Sequence, residues 1–276
     1  MKAALLQLTS GDDPVANLAM VSAMVEKAAA TGAGFILTPE VTNIVSSNRV
    51  QRDKVVQAQG DDITLAGMRA QAAQLGIWLS VGSLLIKTGE PDERVANRSF
   101  LIDPTGAIAA QYDKIHLFDV TVSPSETYRE SAAVRPGNRA VIAQTPFGTV
   151  GLTVCYDVRF PQLHRALAQA GAGIILQPAA FSTVTGAAHW EPLLRARAIE
   201  TGCYVLAAAQ TGLHPSNTGE VRRTWGHSMA ISPWGEVLVD AGTAPGIHYV
   251  ELDLAQVAQA RARIPALTHD RRFEGP

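Results

Sequence analysis

The chain has 276 residues, 47% hydrophobic and 17% charged, which is enough to bury a large core, and a single domain over 1–276 is expected. A formal net charge of -2 and the absence of any basic block argue against nucleic acid or an anionic membrane surface as the main partner, leaving small molecules. No stretch approaches the apolar length of a membrane helix, and the opening M-K-A-A-L-L-Q-L-T-S-G-D-D is too short in its apolar part for a signal peptide. Two cysteines in dissimilar surroundings point to a reducing cytoplasm rather than a disulfide framework.

In chain order, periodicity and punctuation predict helices over 14–30, 62–76, 161–170, 188–201 and 253–262. Core strands are expected near 2–8, 34–38, 77–86, 97–103, 107–112, 149–155, 173–177, 203–209, 227–232, 236–240 and 247–252. The order contains a repeat. V-E-K-A-A-A-T-G-A-G-F-I-L-T-P-E (25–40) is echoed by H-R-A-L-A-Q-A-G-A-G-I-I-L-Q-P-A (164–179), an alanine-rich helix stopping at glycine before a short strand beside proline. F-L-I-D-P-T-G-A-I-A-A (100–110) returns as M-A-I-S-P-W-G-E-V-L-V (229–239), and K-A-A-L-L-Q-L corresponds to T-V-G-L-T-V-C. Any one match is common turn chemistry, but several in the same order indicate a duplicated helix-and-strand unit. Two mixed sheets, each covered by helices on one face, would then pack through their other faces as an α+β, four-layer α-β-β-α sandwich. Segments 41–60, 115–138 and 211–225 interrupt the repeat and are expected to be functional loops.

Cys155 ends an alternating apolar run, T-V-G-L-T-V-C-Y-D-V-R-F-P, and is expected as an exposed strand-end nucleophile, whereas Cys203 in G-C-Y-V-L-A-A-A-Q is expected to be a small buried hydrophobe. A thiol with an ordinary pKa of about 8.5 needs a base or a cation beside it at neutral pH. Glu40 closes F-I-L-T-P-E and Lys114 closes I-A-A-Q-Y-D-K, both at predicted strand ends. Either residue alone would ordinarily be a solvated surface charge; the three together point to nucleophilic catalysis. Arg159, four residues past Cys155, either grips a substrate carboxylate with its planar fork or forms a structural ion pair, for example with Asp157. The seven histidines are scattered without metal-ligand spacing, and no cofactor is implied. A papain-like Cys-His pair and a silent binding scaffold remain alternatives, separable by turnover.

F-I-L-T-P-E, Y-D-K-I-H-L-F-D-V and G-L-T-V-C-Y-D-V-R-F-P resemble, in this order, the glutamate, lysine and cysteine motifs of the nitrilase, or carbon-nitrogen hydrolase, superfamily. Y-R-E-S followed by P-G-N resembles the segment carrying a second glutamate in its amidases, which implies that role for Glu130. The resemblance implies Glu40 as general base, Cys155 as nucleophile, and Lys114 with the backbone N–H of Tyr156 as oxyanion donors. P-A-A-F-S-T-V-T-G-A-A-H-W-E-P, W-G-H-S-M and H-L-F-D-V are similar to the deaminated glutathione amidase branch, with ω-amidase, nitrilase and carbamoyl hydrolase as alternatives. That branch implies Arg159, Phe181 and Thr185 around a 2-oxo acid, with Trp225, His227 and the tract 213–224 over the leaving group. It also implies a homodimer, with the helix near 161–170 and R-I-P-A-L-T-H-D-R-R as candidate contacts.

Overall fold

Alternation along the first strand sets the layering. In β1 (Lys2–Gln7), Ala3 and Leu5 join one buried cluster while Ala4 and Leu6 join another, as strand pleating requires. The computed structural model describes residues 1–123, 126–217 and 222–275. After β1 come α1 (Pro14–Ala30), β2 (Phe35–Leu37), α2 (Arg49–Val55), α3 (Ile63–Leu75), β3 (Trp78–Lys87), β4 (Val95–Ile102) and β5 (Ile108–Asp113). A small hairpin, β6 (Asp119–Ser123) with β7 (Glu126–Arg129), and the two-residue β8 (Val134–Arg135) lead towards the second half.

β9 (Val141–Thr145) ends the first half, and the second runs β10 (Gly148–Leu152), α4 (Pro161–Gln169), β11 (Ile174–Leu176), α5 (Thr183–Thr201) and β12 (Tyr204–Ala207). It continues through a hairpin of β13 (Thr211–Leu213) and β14 (Arg223–Trp225) to β15 (Met229–Ile231), β16 (Val237–Asp240), β17 (Gly246–Glu251) and α6 (Ala255–Arg263).

The two large sheets have the orders β17-β1-β2-β3-β4-β5 and β16-β15-β12-β11-β10-β9. In each, three parallel strands are followed by two antiparallel ones: β1, β2, β3, β4 and β5 correspond to β10, β11, β12, β15 and β16. The first sheet also takes β8 beside β4, and in each sheet the strand beyond β1 or β10 comes from the other half. β9 follows the first unit yet pairs with β10 of the second, and β17 follows the second yet pairs with β1 of the first. The expected pseudo-two-fold sandwich is therefore present, with one exchanged strand on each side.

Between the sheets, Ala3, Leu5, Phe35 and Leu101 from one meet Val150, Leu152, Ile174 and Val205 from the other in a single buried cluster. Outside the first sheet, Val21, Val25, Met68 and Ala72 of α1 and α3 pack on Ala4, Leu6, Ile36 and Leu79. Helix ends follow their sequence signals: Asp13 and Asp62 cap α1 and α3 through side-chain oxygens, and Gly76 closes α3 at φ 65.

Several expectations are corrected. α5 begins at Thr183, ahead of the expected 188, because Gly186 fits beneath Trp225 and tertiary packing overrides the weak local helix signal of T-V-T-G. The three presumed loops hold α2 and two hairpins, although 124–125 and 218–221 lie outside the described residues. β10 ends at Leu152, so Cys155 is not the last residue of a strand. Apart from these corrections, the two segments expected as dimer contacts also engage each other within the chain: Arg165 and Gln169 of α4 donate to the carbonyls of Ala266 and Leu267 at 2.8 and 3.0 Å, and both reach Asp270. Among the described residues no helix is long and apolar enough to cross a membrane.

Candidate active site

Glu40 stands three residues past β2, in a loop gripped by a bulge in β3 between Val81 and Leu84. Gly82 N–H donates to Thr38 Oγ1 at 3.1 Å, Ser83 N–H donates to Pro39 O at 3.2 Å, and Ser83 Oγ accepts from Val41 N–H at 2.9 Å. The carboxylate is 4% exposed and fully engaged: Oε1 accepts from Lys114 Nζ and Asn97 Nδ2, each at 2.9 Å, and Oε2 accepts from Ala180 N–H at 2.8 Å.

Lys114 follows β5 directly and is 2% exposed. Its backbone N–H donates to Asn97 O at 3.0 Å and its carbonyl accepts from Gly137 N–H at 2.8 Å. Its ammonium donates to Glu40 and also to both oxygens of Glu130, at 3.0 and 2.9 Å. Glu130 is fixed in turn by Phe118 N–H at 2.6 Å.

Cys155 begins a 3-10 turn, Cys155–Arg159, with the unusual φ of 48 for a residue with a side chain. The buried Asp157 makes this turn. Its Oδ2 accepts from Val154 N–H at 2.8 Å and Tyr112 Oη at 2.7 Å, while Oδ1 accepts from His116 N–H at 3.1 Å and pairs with His116 Nδ1 at 2.6 Å. Cys155 N–H donates to Pro178 O at 2.8 Å, tying the turn to the end of β11. At 7% exposure the thiol is buried, not exposed as expected. The Tyr156 N–H has no hydrogen-bond acceptor among the described residues.

The three groups set one another's charge. Burial raises the Glu40 pKa, but the Lys114 ammonium more than offsets this and holds it below the ordinary carboxylate value. Burial likewise works against the Lys114 charge, and the carboxylates of Glu130 and Glu40 overcome it, so its pKa lies well above that of a free lysine. Burial and the neighbouring Glu40 raise the Cys155 thiol well above its usual value, with Lys114 only partly opposing them. At neutral pH the arrangement is a carboxylate, an ammonium and a neutral thiol.

These groups line one cavity of about 240 Å³, together with Asn97, Phe118, Tyr128, Glu130, Tyr156, Phe181, Ser182, Thr185 and Arg222. Glu40, Lys114, Cys155, Glu130, Tyr156, Phe181 and Thr185 are thus brought together. The Thr185 hydroxyl is buried without a partner among the described residues, as is Asn97 Oδ1, so both present unspent hydrogen-bonding capacity there. Arg159 is not in the lining. Its guanidinium stands 5.9 and 5.6 Å from the rings of Tyr156 and Phe181 and meets His189 Nδ1 at 3.2 Å, so the alternative ion pair with Asp157 is not formed.

Trp225 and His227 stack on each other with centroids 4.6 Å apart, outside the cavity lining, and His227 pairs with Asp240 at 2.9 Å. Of the tract 213–224, Asn217 is tied to Asp12 at 2.8 and 2.9 Å, and Arg222 reaches the cavity. Sequence reasoning does not single out Asn97 or Arg222. A polar residue at a buried position of the strand V-A-N-R-S-F was a signal for the first; nothing local distinguishes Arg222 from its neighbour Arg223.

The carbon-nitrogen hydrolase family pattern matches residues 2–262. A deaminated glutathione amidase from Yersinia enterocolitica is 40% identical over 269 residues, covering 97% of this chain and 92% of its own. The Caenorhabditis elegans NitFhit protein superimposes with a TM-score of 0.88 at 35% identity, covering 98% of this chain and 65% of that one. An amidase from Nesterenkonia sp. AN1 superimposes with a TM-score of 0.77 at 29% identity, covering 96% and 98%; it is a glutamate-to-glutamine mutant carrying acrylamide, by Michael addition, on its active-site cysteine.

Proposed function

The chain belongs to the carbon-nitrogen hydrolase family, and we propose that it cleaves deaminated glutathione at its γ-amide, releasing 2-oxoglutarate and cysteinylglycine. Hydrolysis of linear amide C–N bonds is the activity of the family, and a small-molecule amide is its substrate class. The observation that carries the mechanism is the buried Glu40–Lys114–Glu130 ion cluster facing Cys155 in one cavity.

Because Cys155 rests as a neutral thiol, attack on the amide carbonyl needs a base, and Glu40 takes the proton as sulfur bonds to carbon. The oxyanion is held by the Lys114 ammonium and the Tyr156 N–H, where loss of one donor typically costs about 3 kcal/mol. Protonated Glu40 gives its proton to the departing amine. The same carboxylate then activates water to hydrolyse the thioester. Glu130 positions Lys114 through two hydrogen bonds and keeps its charge. Phe181 and the unpartnered Thr185 hydroxyl flank the 2-oxo acid, with Arg159 behind Phe181 supplying positive charge.

Purified protein with a panel of amides tests this reading. Deaminated glutathione should show a higher kcat/KM than 2-oxoglutaramate, and both should exceed simple nitriles; a preference for 2-oxoglutaramate would replace the assignment with ω-amidase. The same reading has one catalytic domain acting in the cytoplasm as a homodimer. Exposed Ile199, Trp234 and Ile264 border an apolar groove beside α4 and the tail, and sedimentation at monomer mass would refute the dimer.

A further inference from the structure

Deaminated glutathione is anionic at both ends. Its acyl half ends in the 2-oxo acid carboxylate and its leaving half in the glycyl carboxylate, so a site that selects it over 2-oxoglutaramate needs a second cation on the leaving-group side. Three arginines line the cavity. Arg52 is held by Asp53, and Arg129 is exposed and donates to the carbonyls of Val120 and Tyr128. Arg222 differs. Among the described residues its guanidinium makes one hydrogen bond, to Ala180 O at 3.2 Å, and has no carboxylate within ion-pair distance. Most of its five donors are therefore uncommitted among those residues, beside the cavity.

The position of Arg222 identifies which end of the substrate it faces. Ala180, whose carbonyl accepts from Arg222, gives its N–H to Glu40 Oε2 at 2.8 Å. Glu40 is the group that hands a proton to the departing amine, so the leaving nitrogen lies against it. An extended dipeptide spans roughly 7 Å, a reach of the same order as the separation of two groups bonded to opposite ends of one residue. Arg159 lies elsewhere, beyond the rings of Tyr156 and Phe181. The charges on Glu40 agree. Burial raises its pKa, and the cations that bring it back down are Lys114 first and then Arg222, with Arg159 not among them.

We infer that Arg222 is a specificity-determining residue that binds the carboxylate of the leaving dipeptide. The inference rests on the substrate assignment above and adds a residue for its leaving half. A guanidinium on a carboxylate is a planar, two-bond contact that an uncharged primary amide cannot reproduce.

The test compares deaminated glutathione with its analogue ending in glycinamide. Wild-type enzyme should cleave the acid with kcat/KM roughly 10- to 100-fold above the amide, the span expected for one charge-assisted hydrogen-bonded contact. Arg222→Gln should bring that ratio close to one, and its kcat/KM on 2-oxoglutaramate should fall far less than on deaminated glutathione. Arg222→Lys should retain part of the ratio, and thermal melting confirms that both variants are folded. A ratio that survives in Arg222→Gln, or an equal loss on both substrates, overturns the inference. Wild-type turnover of deaminated glutathione with no preference for the acid also overturns it, leaving the substrate assignment standing. Wild-type enzyme inert toward deaminated glutathione removes the assignment and the inference together.

Discussion

At the scale of single residues, the buried charges are arranged so that each has more than one partner. Lys114 is shared between Glu40 and Glu130, and Glu40 also holds the N–H groups of Asn97 and Ala180. Glu40→Gln therefore removes the base while leaving Lys114 one carboxylate. It should fold, and kcat should fall by at least about 10². Lys114→Ala is harsher because the buried Glu40 and the partly buried Glu130 both lose their cation, a change that typically costs about 3–5 kcal/mol for a buried pair. Its kcat, corrected for the folded fraction measured by circular dichroism, should fall by a comparable factor. Near-wild-type turnover in either variant would remove that residue from the mechanism.

At the scale of elements, the duplicated pattern of helix, glycine turn and strand was readable because each repeat buries its own face. The two hairpins that follow, 100–110 and 229–239, showed the same Pro-x-Gly punctuation. Of the two exchanged strands, β17 was expected over 247–252, whereas β9 was missed: V-I-A-Q-T lies at a sheet edge, half-buried, and has little alternation to betray it. Cys155 was recognised by its neighbours but misplaced, since the turn that carries it is imposed by Asp157 contacts with residues far away in sequence, Tyr112 and His116. The grip of β3 on the Glu40 loop was equally hidden. A Cβ added at Gly82 would sit 2.1 Å from Thr38 O and 2.6 Å from Pro39 O and Pro178 Cβ, so Gly82→Ala must displace the loop carrying Glu40 and the Pro178 segment whose carbonyl holds Cys155 N–H. Steady-state kinetics on the folded variant should show kcat reduced about 10²-fold or more, since small misplacements of reacting groups cost that much. An unchanged kcat would show that the bulge does not position the site.

At the scale of the whole molecule, acid should destabilise the fold through two histidines as well as through carboxylates. Burial pushes His164 down from 6.5 to about 4, although its two ring nitrogens face the acceptors Phe160 O and Gln177 Oε1, only one of which the neutral ring can bond. Burial does the same to His214, which binds Ser10 O and Thr224 Oγ1 and so fastens the β13–β14 hairpin to the first half. Both are neutral in the fold and take up protons on unfolding below 6.5. Their contribution is whole above that pH and is lost as pH falls towards 4, at about 1.4 kcal/mol per unit for each. Urea midpoints should drop across this window and drop less in His164→Gln; identical slopes would contradict the assignment. The proposed chemistry passes through a thioester on Cys155. After rapid quenching with deaminated glutathione, intact mass and peptide mapping should find a 2-oxoglutaryl group on Cys155 and none on the buried Cys203. An adduct on Cys203, or undiminished turnover by Cys155→Ala, would contradict it.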